Sequence, residues 1–125
     1  MLSYLYIGCL VIVGVINTLP VVGMLGADRI NAAYGLTLNS PDLEILLRHR
    51  ALLFGIIGGF VLASIAIPPL RLAALILAGI SMVGFLIISW QVGGANAELQ
   101  RIAQVDIIGI AALVGVVALH AILAR

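Results

Sequence analysis

Four long apolar runs dominate the chain: Leu5 to Met24, Leu47 to Ile67, Leu72 to Val92 and Val105 to Leu123. Each is close to the roughly 20 residues that an α-helix needs to cross the ~30 Å hydrocarbon core of a bilayer. Apolar residues surround each run on every side, as in helices that touch both lipid and one another. A closed β-barrel is the other structure that can span a membrane, because it too pairs its backbone polar groups internally. Barrel strands alternate in polarity, and these continuous runs do not. The pattern therefore predicts an all-α integral membrane four-helix bundle. It is one domain over residues 1–125, with helices at about 3–25, 41–67, 70–93 and 97–124.

The breaks between the runs carry their own signals. In "IPPLR", Ile67 to Arg71, two prolines stop one helix and the next begins almost at once, which makes helices two and three a short hairpin. "NSPDLE" reads as a helix start, with Ser40 as N-cap, Pro41 at the first helical position, and Asp42 and Glu44 near the positive end of the dipole. Helix two then begins about two turns before its apolar run. "GGANAELQ" restarts helix four from Asn96 in the same way. "DRINAAYG" in the first loop predicts a short surface helix stopped by Gly35. The first run has no basic leader and no small-x-small cleavage site, so it reads as a retained helix and not as a signal peptide. Tyr4, Tyr6 and Trp90 are expected as interfacial anchors.

Composition narrows the class. The chain is 64% hydrophobic and 9% charged, against the roughly 25% charged residues of soluble domains. A net charge of +1 gives no electrostatic footprint for nucleic acid, and none is expected as a partner. Every basic residue is an arginine, whose planar fork suits carboxylates and lipid phosphates. The single cysteine, Cys9, lies inside the first run and is expected to act as a small apolar core residue. Arg29, Arg48, Arg50 and Arg101 lie on the side of the long loops, against Arg71 and Arg125 on the side of the termini. The positive-inside rule would place the long loops in the cytoplasm. If Arg48 and Arg50 are withdrawn into the bundle the vote ties, so orientation stays open.

Charges close to hydrocarbon are costly and each needs a reason. Arg48-His49-Arg50 stands about two turns after Pro41, near the boundary of headgroups and hydrocarbon. Glu44 lies one turn before Arg48, in the favourable acid-first order. Arg50 has no acid one turn away on its own helix, and Asp106, just inside the fourth run, is the expected interhelical partner. Asn17, with Thr18 beside it, and Gln91 end their helices on the same side. Asn17, Arg48, His49, Arg50, Gln91 and Asp106 are therefore predicted as one polar cluster, either structural glue or a ligand-binding mouth. Glu98 and Arg101 read as a surface ion pair, and His120 as an interfacial residue.

Small residues mark faces where helices can approach closely: Gly55, Gly59 and Ala63 in helix two, Ala111 and Gly115 in helix four, and Ala74 and Ala78 in helix three. They serve packing within the bundle or docking against a second subunit. No HExxH or HxxEH, GxSxG, Walker, Rossmann or CxxCH pattern occurs. No catalytic residue, metal or cofactor is therefore expected.

Taken together, "YGL", "SPDLEILLRHRALLFGIIGGF", the double-proline hairpin and the "GGANAELQR" restart resemble a family of small, uncharacterised bacterial four-helix membrane proteins. The core of the resemblance is Leu46 to Gly55. Some members carry the label phosphopantetheine adenylyltransferase. That soluble enzyme has a nucleotide-binding α/β fold with phosphate-contacting motifs, which this chain lacks. The layout is also similar to the broader DoxX-like group. The resemblance implies a multi-pass protein of the bacterial inner (plasma) membrane and brings no activity with it.

The reading favoured at this point is a non-enzymatic subunit or accessory protein, packing against itself as a homo-oligomer or within a larger membrane complex. The alternative is a binder of a lipid, quinone or other lipophilic molecule through the Arg/His/Asp mouth, with membrane lipids as partners in either case. A small membrane enzyme using His49 with Asp106 or Glu44 comes third. It requires those groups to share one pocket.

Overall fold

A computed structural model describes residues 1–21 and 39–123, together with Gly26, Asp28, Asn31, Ala32 and Gly35. It contains four long helices: α1 (Leu2–Thr18), α2 (Pro41–Ala66), α3 (Arg71–Val92) and α4 (Ala97–Leu123). A 3₁₀ turn at residues 19–21 extends α1, and another at Pro68–Leu70 leads into α3. With these turns, all four are long and apolar enough to cross a membrane. Among the described residues there is no strand. The fold is an all-α four-helix bundle, and its helices fit a multi-pass membrane protein.

The helix starts follow local side-chain chemistry. Ser40 is extended, at φ −140 and ψ 145, and its hydroxyl oxygen accepts from the Leu43 N–H at 3.2 Å. Pro41 takes the first helical position, where its missing N–H costs nothing. At the start of α4 the Asn96 Oδ1 accepts from the Leu99 N–H at 2.9 Å. Gly93 and Gly94 have φ of 70 and 69, and they turn the chain out of α3. α1 leaves α-geometry at Thr18, before the expected end near residue 25. Pro20 has no N–H to continue the ladder, and residues 22–25 lie outside the described residues. In the first loop Asp28, Asn31 and Ala32 are helical, and Gly35, at φ 63, donates its N–H to the Asn31 carbonyl at 2.9 Å. The rest of that predicted surface helix lies outside the described residues.

The helices form a ring in which α1 and α3 each pack against α2 and α4. Neighbours run antiparallel: Gly14 and Thr18 of α1 meet Leu62 and Gly58 of α2, and Cys9 and Ile16 of α1 meet Gly115 and Gly109 of α4. The core between them holds Leu10, Val13, Val61, Ala74, Ala78, Met82 and Val116, with Cys9 packed against it. The closest approach to backbone is at Gly58. A Cβ on Gly58 would overlap Thr18 and the Gly14 carbonyl, and one on Gly109 would overlap the Met82 sulfur. With no net hydrophobic drive between helices in lipid, such close approach is the principal source of association.

Candidate functional site

Both polar overhangs and the ends of α1 and α3 come together at one end of the bundle. There the Arg-His-Arg triplet of α2 is divided by helix geometry, since successive side chains turn by about 100°. Arg48 is exposed and bonds Glu44 at 3.3 Å. His49 is exposed. Arg50 turns towards α3 and is half-buried, with its guanidinium carbon 4.5 Å from the Phe54 ring centroid and 5.6 Å from that of Phe85. Two aromatic faces thus support a cation whose expected partner was the Asp106 carboxylate. Arg50 also borders a groove between α2 and α3, lined by Leu53, Ile57, Leu77, Ile80 and Ser81.

Arg50 and Asp106 do not form the direct ion pair expected of them. They attract across the bundle, while the Arg50 guanidinium lies over Phe54 and Phe85. Asp106 instead lines a separate cavity of about 220 Å³ between the end of α1 and the first turns of α4. Its walls are Ile16, Leu19, Pro20, Ile102 and Val105, its rim includes Ala32, and the other charged groups among its described lining residues are Glu98 and Arg101. The surface ion pair expected between Glu98 and Arg101 is not formed. Among the described residues the only ion pair is Arg48–Glu44.

The remaining members of the predicted cluster stand apart from this cavity. Gln91 is exposed at the end of α3. Asn17 is buried, its amide nitrogen donating to the Val13 carbonyl at 2.8 Å and its Oδ1 without a partner. Thr18 donates to the Gly14 carbonyl at 2.7 Å, so this polar pair bonds largely to its own helix. The six residues share one end of the bundle but not one pocket. His49 does not line the Asp106 cavity, and it does not line the surface groove of Pro41, Glu44, Ile45 and Arg48.

The small-residue positions also divide. Gly55 faces Val21, and Gly115 faces Cys9, both inside the bundle. Ala74 and Ala78 are buried. Gly59, Ala63 and Ala111 face outward, and nothing lies within 4 Å of where a Gly59 Cβ would stand.

A second cluster, at the opposite end, has no counterpart in the sequence reading. Arg71 donates from Nε to the Ser64 carbonyl and from Nη2 to the Ile65 carbonyl, both at 3.0 Å, which caps the last turn of α2. Its guanidinium carbon lies 5.0 Å from the Tyr6 ring centroid, and the Tyr6 and His120 rings are 6.1 Å apart. Tyr6 is only 3% exposed and its hydroxyl has no partner, so it is a core residue and not the expected anchor. Tyr4, at 83%, and Trp90, at 84%, do lie on the outside. The double proline before Arg71 is the one sequence signal for the cap, because it folds Arg71 back over the helix it has just left.

Comparison of the chain with protein-family models, with curated proteins and with solved structures found no match. Among the described residues, no three His, Cys, Asp or Glu side chains come together as a metal site.

Proposed function

We propose that this protein is a non-enzymatic membrane subunit whose work is lateral packing, against a second copy or within a larger membrane complex. The outer face of α2 carries the reading. Leu52, Ile56, Gly59 and Ala63 lie on one exposed stripe, with a gap at Gly59 into which another helix would fit. Ala111 offers a second small exposed position on α4. The resemblance of the Leu46–Gly55 segment to bacterial four-helix membrane proteins supports the inner membrane as its location. The exposed His49, outside the Asp106 cavity, speaks against an acid–base pair at this end.

The test is mass measurement after extraction in mild detergent and after reconstitution in lipid discs. The expected result is a discrete species larger than the 13.0 kDa chain. Gly59→Leu should shift it towards the single chain while leaving helicity unchanged. A protein that stays monomeric in both media at every concentration would sink the reading.

A further inference from the structure

We infer that the cavity between α1 and α4 binds the headgroup of a phospholipid carrying both a phosphate and a primary ammonium. This goes beyond lateral packing and does not depend on it. Glu98, Arg101 and Asp106 lie on one face of α4, with the base between the two acids along the helix, and all three line the cavity. None of them forms an ion pair with another, and Arg50 attracts Asp106 only from across the bundle. At a rise of about 1.5 Å per residue the array spans roughly 12 Å from Glu98 to Asp106. Among the described lining residues a purely anionic head would meet two carboxylates for one guanidinium, and a purely cationic head would meet Arg101. A head that bears both charges satisfies the whole array. Its phosphate takes the planar fork of Arg101, and its ammonium donates to Asp106 or Glu98.

The walls decide between lipid and solute, and between two kinds of ammonium. Ile16, Leu19, Pro20, Ile102 and Val105 give the cavity an apolar side, and Leu19 is 59% exposed on the outer surface of the bundle. The cavity therefore adjoins lipid, where an acyl chain can continue from the head. Among the described residues no aromatic ring lines it. A quaternary ammonium is normally held by aromatic faces, whereas a primary ammonium has three N–H donors for carboxylates. The volume of about 220 Å³ leaves room for a compact head.

The experiment uses the full chain in detergent with an equimolar mixture of ethanolamine, choline and glycerol phospholipids of identical acyl chains. Retained lipid is read by native mass spectrometry. The ethanolamine lipid should be retained about tenfold over the choline lipid, as expected for loss of a charge-assisted hydrogen bond. Asp106→Asn should reduce that ratio to within about twofold. Arg101→Gln should weaken retention of both lipids and leave the ratio intact. If Asp106→Asn does not fold, Glu98→Gln, at the start of α4, serves in its place and should lower the ratio about threefold. Glu44→Gln, on the outer surface of α2, should change nothing. Free phosphoethanolamine at millimolar concentration should fail to displace the lipid, and displacement would assign the site to a soluble amine phosphate. Equal retention of the three lipids, preference for the glycerol lipid, or a ratio indifferent to the α4 substitutions would overturn the assignment.

Discussion

A methyl group added at Gly58 would run into the Thr18 side chain and the Gly14 carbonyl, whereas one added at Gly59 would meet nothing. Two adjacent glycines therefore predict opposite outcomes. Gly58→Ala should force α1 and α2 apart and destabilise the bundle by about 1–3 kcal/mol. Gly59→Ala should be neutral or stabilising by up to about 1 kcal/mol, through helix propensity. Denaturant titration in detergent, followed by helicity, measures both, and equal effects would show that α1 and α2 do not cross at Gly58. Arg71 is a second residue whose geometry fixes an expectation. It makes two hydrogen bonds from one planar group to successive carbonyls of α2. An ammonium is a point charge and cannot reproduce that fork. Arg71→Lys should lose about 1–3 kcal/mol, nearly as much as Arg71→Ala. Full rescue by lysine would mean that charge alone matters there.

At the scale of the element, what the sequence discloses depends on how local the chemistry is. The starts of α2 and α4 are legible because a cap is an interaction across three residues: Ser40 with Leu43, and Asn96 with Leu99. The rotation of each helix about its own axis is not. These helices are apolar on nearly every side, so no polar stripe distinguishes inward from outward. Hence Tyr6 turns in while Tyr4 turns out, Gly58 is buried while Gly59 is exposed, and Arg50 meets Phe54 and Phe85 instead of Asp106. The candidate site was legible only as a membrane end rich in polar groups. Which of those groups share a cavity depends on the same missing rotation. The caps yield their own prediction. Asn96 also donates to the Gly35 carbonyl at 3.4 Å, linking the first long loop to the start of α4. Asn96→Ala should cost about 1 kcal/mol from the cap and speed amide exchange at Leu99. The corresponding Ser40→Ala change should act at Leu43 alone. Unchanged protection at Leu99 would argue that the cap is not held in the membrane.

For the whole molecule, antiparallel order and four spans fix which surfaces share a side, whichever way the protein is inserted. The starts of α2 and α4 belong to one side, and the Pro68–Leu70 turn and the first residue of α1 to the other. This follows from packing as much as from span length. Gly58 meets Thr18 while Leu62 meets Gly14, and Gly109 meets Ile16 while Gly115 meets Cys9, and these paired contacts form only between neighbours running in opposite directions. A re-entrant α4, entering and leaving on one side, would have the same composition but would lose the Cys9–Gly115 approach near the end of the bundle that holds the start of α1. The distinction is measurable with single cysteines placed in a Cys9→Ala background and a thiol reagent that cannot cross the bilayer. Asn39→Cys and Gly94→Cys should label from one and the same side of sealed vesicles, and Pro69→Cys only after the opposite side is opened. The result also bears on how a lipid would reach the α4 cavity. Glu98 lies four residues beyond Gly94 along the chain, so the side that labels Gly94→Cys is the leaflet whose headgroups reach Arg101. Labelling of Pro69→Cys and Gly94→Cys from the same side would dismantle the four-span arrangement, and with it the placement of that cavity at a headgroup boundary.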